Sequence, residues 1–226
     1  MASWMVHLRI AEELLPHLRR IEETAFIFGN MAPDSGVPNE DWTEFDPPNG
    51  KTHFKTRRGG KTSIDLDAFC EQYFNEEKIS GYSLTEYSFF LGYYVHLLTD
   101  VQWSGKIARA LLTDYPTEAA EDRESLIRTA KEDWYDLDYL FLEQHPEFRA
   151  FSIYEKADHF DNIFMDMFRR DAFENRRGYI CGFYRNGEHG DLHRQYRYLT
   201  ADQAESFVRD TSDYILKELR SYIMES

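Results

Sequence analysis

The chain is poor in cysteine, in residues that break regular structure, in positive charge and in long apolar runs. Its two cysteines, Cys70 and Cys181, form no C-x-x-C pair, which excludes a disulfide scaffold and a sulfur-rich zinc site. Free thiols are the expectation. Seven prolines and 12 glycines in 226 residues exclude collagenous or linker-like architecture. The longest apolar stretch, Phe89 to Leu98, contains His96 and falls well short of the roughly 20 residues needed to cross a bilayer. Near the start, His7, Arg9, Glu12 and Glu13 interrupt every apolar run, so no secretory signal is read there and a cytoplasmic location is expected. Lys and Arg total 26 against 41 Asp and Glu, a net charge of −15. Such a field repels phosphate, so no stable nucleic-acid partner and no polybasic membrane contact are expected. An anionic substrate would need local positive charge.

What the chain does contain is apolar and aromatic bulk: 42% hydrophobic residues, 16% aromatic, enough to bury a core and to exclude general disorder. Apolar positions recur at helical spacing and period-two alternation is scarce, so an all-α, single-domain, multi-helix bundle is expected. Helices are predicted over 3–24, with Pro16 kinking or dividing the first, and over 64–78, 83–113, 117–143, 153–174 and 200–223. Ser83 with Glu86 has the form of a capping box, and 83–113 is apolar on nearly every face as far as Leu98. Phe26 to Phe28 reads as a short apolar run before a long polar, proline-bearing loop over 30–62. Loops beyond about 12–15 residues in compact domains are commonly functional or disordered. The Gly- and Arg-rich stretch 176–198 reads as irregular.

Chemistry concentrates in a few histidines and aspartates. His96 and Asp100 form an H-x-x-x-D pair on the apolar helix, and residues four apart share a helix face about 5–6 Å apart at Cβ. That spacing lets an imidazole and a carboxylate share one metal ion, and it equally suits a core histidine hydrogen-bonded to an aspartate. Three further candidate ligands lie upstream: His7 on the first helix, Asp34 in the long loop and His53 at its far end. Mixed nitrogen and oxygen ligands without thiolate suit Zn²⁺, with Mn²⁺, Fe²⁺ or Ni²⁺ as other occupants. Two basic stretches stand out from the acidic background. One, 51–61, carries Arg57 and Arg58 beside His53 and is a candidate source of positive field for an anionic substrate. The other, 176–198, interleaves arginine with aromatics, which fits either base stacking or arginines paired to the chain's many carboxylates.

The order and local sequence of four segments go further. Trp4-Met-Val-His7, Gly29-Asn-Met-Ala-Pro-Asp34, Thr52-His-Phe54 and Phe89-Phe-Leu-Gly-Tyr-Tyr-Val-His-Leu-Leu-Thr-Asp100 occur in that sequence. Over roughly residues 1–145 the chain resembles the zinc-dependent phospholipase C family, whose fold is shared with zinc-dependent single-strand nucleases. The resemblance implies a mostly helical domain holding one or two zinc ions that bind phosphate oxygens and activate water. It implies Asp34, His53 and His96 at one metal, Asp100 bridging to a second, and His7 at that second one. Asp34 as ligand and Asp34 as catalytic base both remain open. In secreted relatives an N-terminal tryptophan gives its amine to the second ion, whereas here Trp4 follows Met1-Ala2-Ser3. A third family metal takes two histidines and an acid further on. At those places this chain has Lys106 and the acids Asp133, Asp136 and Asp138. The expectation is that Lys106 pairs with Asp133 or Asp136, a fixed positive charge where relatives hold a metal, and so contributes to substrate binding. The implied activity is metal-dependent hydrolysis of a small phosphoester, diester or monoester; the alternative is a metal-binding relative with a structural or ligand-binding role.

Overall fold

A computed structural model describes residues 1–41 and 43–220, with the side chain of Arg58 outside that description. The fold is all-α. Its helices are α1 (Trp4–Leu14), α2 (Glu23–Met31), α3 (Asn49–Thr52), α4 (Leu66–Tyr73), α5 (Glu76–Gly81), α6 (Leu84–Trp103), α7 (Arg109–Asp114), α8 (Pro116–Gln144), α9 (Arg149–Lys156), α10 (Ala172–Asn186) and α11 (Ala201–Glu218). Two small antiparallel ladders interrupt them, β1 (Val37–Pro38) with β2 (Phe45–Asp46) and β3 (Lys55–Arg58) with β4 (Lys61–Ile64).

Several boundaries follow from local chemistry. Ser3 caps α1 by accepting from the Val6 amide, and Pro16 lies in a 3₁₀ turn that ends this first helical segment. The predicted 3–24 helix therefore stops early, and the chain starts again at Glu22, whose carboxylate accepts from the Thr24 and Ala25 amides. Phe26 to Phe28 thus belong to a helix, where the sequence pattern suggested only a short apolar run. The expected capping box is present, the Ser83 hydroxyl accepting from the Glu86 amide while Glu86 accepts from the Ser83 amide. Thr200 and Gln203 cap α11 in the same way. The 153–174 prediction splits, because the helix ends at Lys156 and irregular chain runs to Asp171. Residues 176–186, expected to be irregular, form most of α10. The end of the predicted 200–223 helix lies outside the described residues.

The most extensive contact in the fold is between α2 and α6. Two glycines permit it. A Cβ on Gly29 would sit 1.9 Å from the Phe89 carbonyl oxygen, and one on Gly92 would sit 2.0 Å from the Phe26 carbonyl oxygen. With hydrogen at both places the two backbones touch, and α6 is buried almost continuously from Ser88 to Asp100. At the far end of α6 a Trp103 ring meets Trp134 of α8 edge-on at 5.1 Å and Phe207 of α11 at 5.0 Å. The 30–62 stretch is ordered by its own short elements: a 3₁₀ turn at Ala32–Asp34, the two ladders and α3. Gly59 and Gly60, with φ of 56° and 79°, make the two-residue turn of the β3–β4 hairpin, a conformation that favours glycine at both positions.

Candidate metal centre

The five sequence-selected ligands come from four separate places in the chain and the structure brings them together. His7 is on α1, Asp34 ends the 3₁₀ turn after α2, His53 follows α3, and His96 and Asp100 lie one turn apart on α6. His53 Nε2 is 3.2 Å from His96 Nε2, 3.3 Å from Asp34 Oδ1 and 3.6 Å from Asp100 Oδ2, and His96 Nε2 is 3.8 Å from that same Oδ2. On the other side Asp100 turns Oδ1 toward His7 Nε2, at 3.6 Å, and accepts from the Ala2 amide at 2.8 Å. The His7 and His96 rings stack, 3.7 Å apart and nearly parallel. Two triads of donor atoms result, Asp34 with His53 and His96, and His7 with His96 and Asp100. His96 belongs to both.

Backbone carbonyls set which imidazole nitrogen faces inward. His96 Nδ1 lies 2.7 Å from the Asn30 carbonyl, so the proton is on Nδ1 and Nε2 carries a lone pair. His53 Nδ1 lies 3.1 Å from the Asn49 carbonyl, with the Thr52 hydroxyl at 2.9 Å, and its Nε2 is bare for the same reason. A histidine whose outer nitrogen is held by a carbonyl is oriented to give the inner one to a metal. The α2–α6 approach supplies the Asn30 carbonyl. The Tyr93 hydroxyl of α6 donates to the Thr52 carbonyl at 2.5 Å, and Phe54, at φ 50°, turns the chain sharply just beyond His53.

These donors fit a divalent cation. Two lone-pair nitrogens 3.2 Å apart repel unless a positive charge lies between them. The separations of 3.2–3.8 Å are close to the roughly 3.3–3.6 Å edges of a tetrahedron with bonds of about 2.0–2.2 Å. His7 Nε2 and Asp100 Oδ2 are buried with no hydrogen-bond partner among the described residues, a cost that a bound ion would remove. Burial opposes charge on Asp34, but the contact with His53 and the nearby imidazoles hold its carboxyl far below the usual range. Asp100 is held low in the same way by His7 and His96. Burial and the neighbouring His7 push His96 down to about 3, so its imidazole is neutral at any pH where the protein would work. Ionised carboxylates and neutral imidazoles are the ligand forms a metal requires.

The model of the family described as zinc-dependent phospholipase C matches residues 6–222, nearly the whole chain. The chain belongs to that family. No curated protein and no solved structure matches it significantly. Membership of a zinc-dependent phospholipase C family and the buried His/Asp cluster together support a metal-dependent phosphoesterase, and the donor set fits zinc. No helix among the described residues is long and apolar enough to cross a membrane.

Two residues expected at the substrate, Lys106 and Arg57, are not brought to this cluster. Lys106 lies in a π-helical turn, Ser104–Ala108, and is exposed. It lines a different cavity with Asp114, Asp202 and Asp210, so the expected pairing with Asp133 or Asp136 is not formed. Arg194 takes that place, its guanidinium 2.7 Å from Asp133 and 2.8 Å from Asp136. The wide turn after α6 rotates Lys106 away, while the loop after α10 returns across α8. Arg57 is exposed on the β3 strand, and the Arg58 side chain lies outside the described residues. His189 and His193 sit apart from the centre, against Tyr139 and Glu143.

Sequence reasoning placed Asp138 only among the acids near a third family metal and Arg176 only within the 176–198 stretch, and foresaw the part of neither beside this centre. Asp138 is buried on α8 and accepts from the Ser3 and Tyr184 hydroxyls, both at 2.8 Å, so it braces the cap of the helix that carries His7. Burial, only partly offset by those hydrogen bonds and by Arg9, pushes its carboxyl up to about 7. The unfolded chain loses this proton near pH 4, so the folded chain holds the extra proton across the window from about 4 to about 7. Its contribution to stability falls as pH rises through that window. Asp138→Asn is therefore expected to flatten the slope, with the difference in Tm between pH 5 and pH 8 smaller in the variant, as thermal melts would show.

A cavity of about 510 Å³ opens on the cluster and is lined by Ala2, Trp4, Asp34, Lys131, Tyr135 and Arg176 among others. Asp34, its side chain 9% exposed, is the ligand candidate that meets this cavity. The spacing of Phe173, Arg176, Ile180 and Tyr184 along α10 is helical and could have revealed that Arg176 faces inward.

Proposed function

We propose that the chain hydrolyses phosphoric esters, a diester or monoester, at a centre of one or two zinc ions held by His7, Asp34, His53, His96 and Asp100. The observation that carries this reading is the meeting of Asp34, His53, His96 and Asp100 around one point, with Asp34 at the mouth of a cavity large enough for a small ester. An ion bound there supplies Lewis-acid stabilisation of phosphoryl charge and acidifies water to a pKa of roughly 7. The protein's own part is to hold the donors and keep them in the right charge state. The Asn30 and Asn49 carbonyls fix the imidazoles of His96 and His53, and burial with the neighbouring His7 keeps that of His96 neutral. Asp100 turns Oδ1 toward His7 and Oδ2 toward His53 and His96, as a carboxylate between two ions would. A carboxyl held as low as that of Asp34 is a poor proton acceptor near neutrality, which supports its role as a ligand over that of a general base.

The complete burial of His7, His53, His96 and Asp100 also suits a metal with a structural role. Elemental analysis of untagged protein, paired with turnover of bis(p-nitrophenyl) phosphate and p-nitrophenyl phosphate, separates the two readings. The expected result is one or two zinc ions per chain and turnover that is lost on chelation and restored by zinc. Bound zinc without turnover of either ester would leave the structural role standing.

A further inference from the structure

The cavity beside Asp34 has a charge pattern opposite to that of the chain. Among the described residues lining it, Asp34 is the sole acid, whereas Arg176 and Lys131 both face it, in a protein of net charge −15. Six of the other thirteen lining residues are aromatic. Trp4 packs edge-on against Tyr179 at 5.8 Å and Phe183 at 5.7 Å, and Tyr135 meets Phe183 at 5.5 Å. Rings of this kind bind either flat apolar groups or cations. Here the cation position is taken from within the protein. The Arg176 guanidinium lies 5.9 Å from the Trp4 ring centre and 5.6 Å from that of Tyr179, and it donates to the Gly36 carbonyl, two residues beyond Asp34. Arg176 is buried on α10, so its charge is screened little by water. Lys131 is exposed on α8, also lines the cavity, and makes no ion pair among the described residues.

We infer that this cavity selects a phosphoester whose organic arm is aromatic or otherwise apolar and carries no positive charge. Arg176 and Lys131 attract the phosphate, the rings receive the arm, and an ammonium-bearing arm is repelled by the guanidinium already seated against them. Arg176 and Lys131 are thus specificity-determining residues. The inference rests on the phosphoesterase reading for the identity of the ligand, and extends it to the substrate class.

Binding of two phosphonates to the zinc-loaded protein by calorimetry tests it without turnover, because their P–C bonds resist hydrolysis. The probes are benzylphosphonate and (2-trimethylammonioethyl)phosphonate. Benzylphosphonate is expected to bind at least tenfold more tightly. Lys131→Glu, on an exposed helix face where the fold is not at stake, is expected to narrow that ratio by about tenfold by reversing one charge near the arm. Arg176→Gln is expected to weaken benzylphosphonate more than tenfold while zinc content stays unchanged. Equal or tighter binding of the ammonium probe, an unchanged ratio in Lys131→Glu, or binding of neither probe would overturn the inference. Selective binding with no ester turnover would retain this selectivity and remove the hydrolase proposal. Turnover of aryl phosphates with no selectivity would do the reverse.

Discussion

His96→Ala is expected to strip the centre of all its metal, whereas His7→Ala should lose one triad and keep the other. The asymmetry comes from topology: His96 belongs to both donor triads, and its one lone pair serves whichever of them holds the ion, while His7 belongs to one. Loss of outer hydrogen-bond partners alone typically weakens metal affinity 10–100-fold. Removing a ligand common to both triads should therefore cost on the order of 100-fold or more, and turnover should fall with it. Metal-to-protein ratios after dialysis check the order: near zero for His96→Ala, reduced but measurable for His7→Ala, and intact for the wild type. Equal retention in both variants would contradict the shared-ligand arrangement. The folded chain should also be coupled to its metal. An ion present at a thousand times its Kd contributes about 4 kcal/mol. In a chain of this size each kcal/mol moves Tm by roughly 2–4 °C, so chelation is expected to lower Tm by about 8–16 °C. An unchanged melt with chelator would mean that no bound ion supports the fold.

The second large effect is expected at the α2–α6 contact. Gly92→Ala places a methyl 2.0 Å from the Phe26 carbonyl oxygen and 2.8 Å from the Asn30 amide nitrogen, both rigid backbone. The two helices must separate to accept it. Overpacking of cores costs roughly 1–3 kcal/mol when side chains can adjust, and here backbone must move, so the loss should reach or exceed the upper end of that range. The consequence for the centre is specific. Asn30 gives its carbonyl to His96 Nδ1 and its side-chain amide to the Gly92 carbonyl, so separation of α2 from α6 slackens the bond that orients His96. Gly92→Ala is thus expected to lower both Tm and zinc affinity, while Gly50→Ala, where a Cβ meets nothing within 4 Å, should alter neither. Denaturant melts and zinc titrations on the pair would show it.

Much of the architecture could be read from pattern because the relevant signals are local. The capping box at Ser83 and Glu86, the apolar run through Leu98 and the four-residue spacing of His96 and Asp100 each depend on neighbours within a turn. The failures were of two kinds. Glycine and arginine between 176 and 186 suggested irregular chain, yet burial of Phe173, Arg176, Ile180 and Tyr184 stabilises a helix there, and Gly178 and Gly182 face open space. Lys106 is expected to pair with Asp133 or Asp136 because it stands where the resembling family places a third-metal ligand. The π-helical turn after Trp103 changes the rotation of everything beyond it, and Arg194, almost ninety positions later, arrives at those acids instead.

By itself the amino-acid order determined that the chain would be helical, that α6 would be buried and would carry an imidazole and a carboxylate on one face, and which histidines and aspartates were worth watching. Tertiary structure alone decided that His7, Asp34 and His53 reach that face, that Asn30 and Asn49 carbonyls aim the rings, and that Arg176 and Lys131 set the charge of the adjoining cavity. The division has one physical cause. Helix formation and capping are governed by interactions within a few residues, whereas a centre assembled from four distant segments depends on how closely helices can approach, and here two glycines at the α2–α6 contact set that distance.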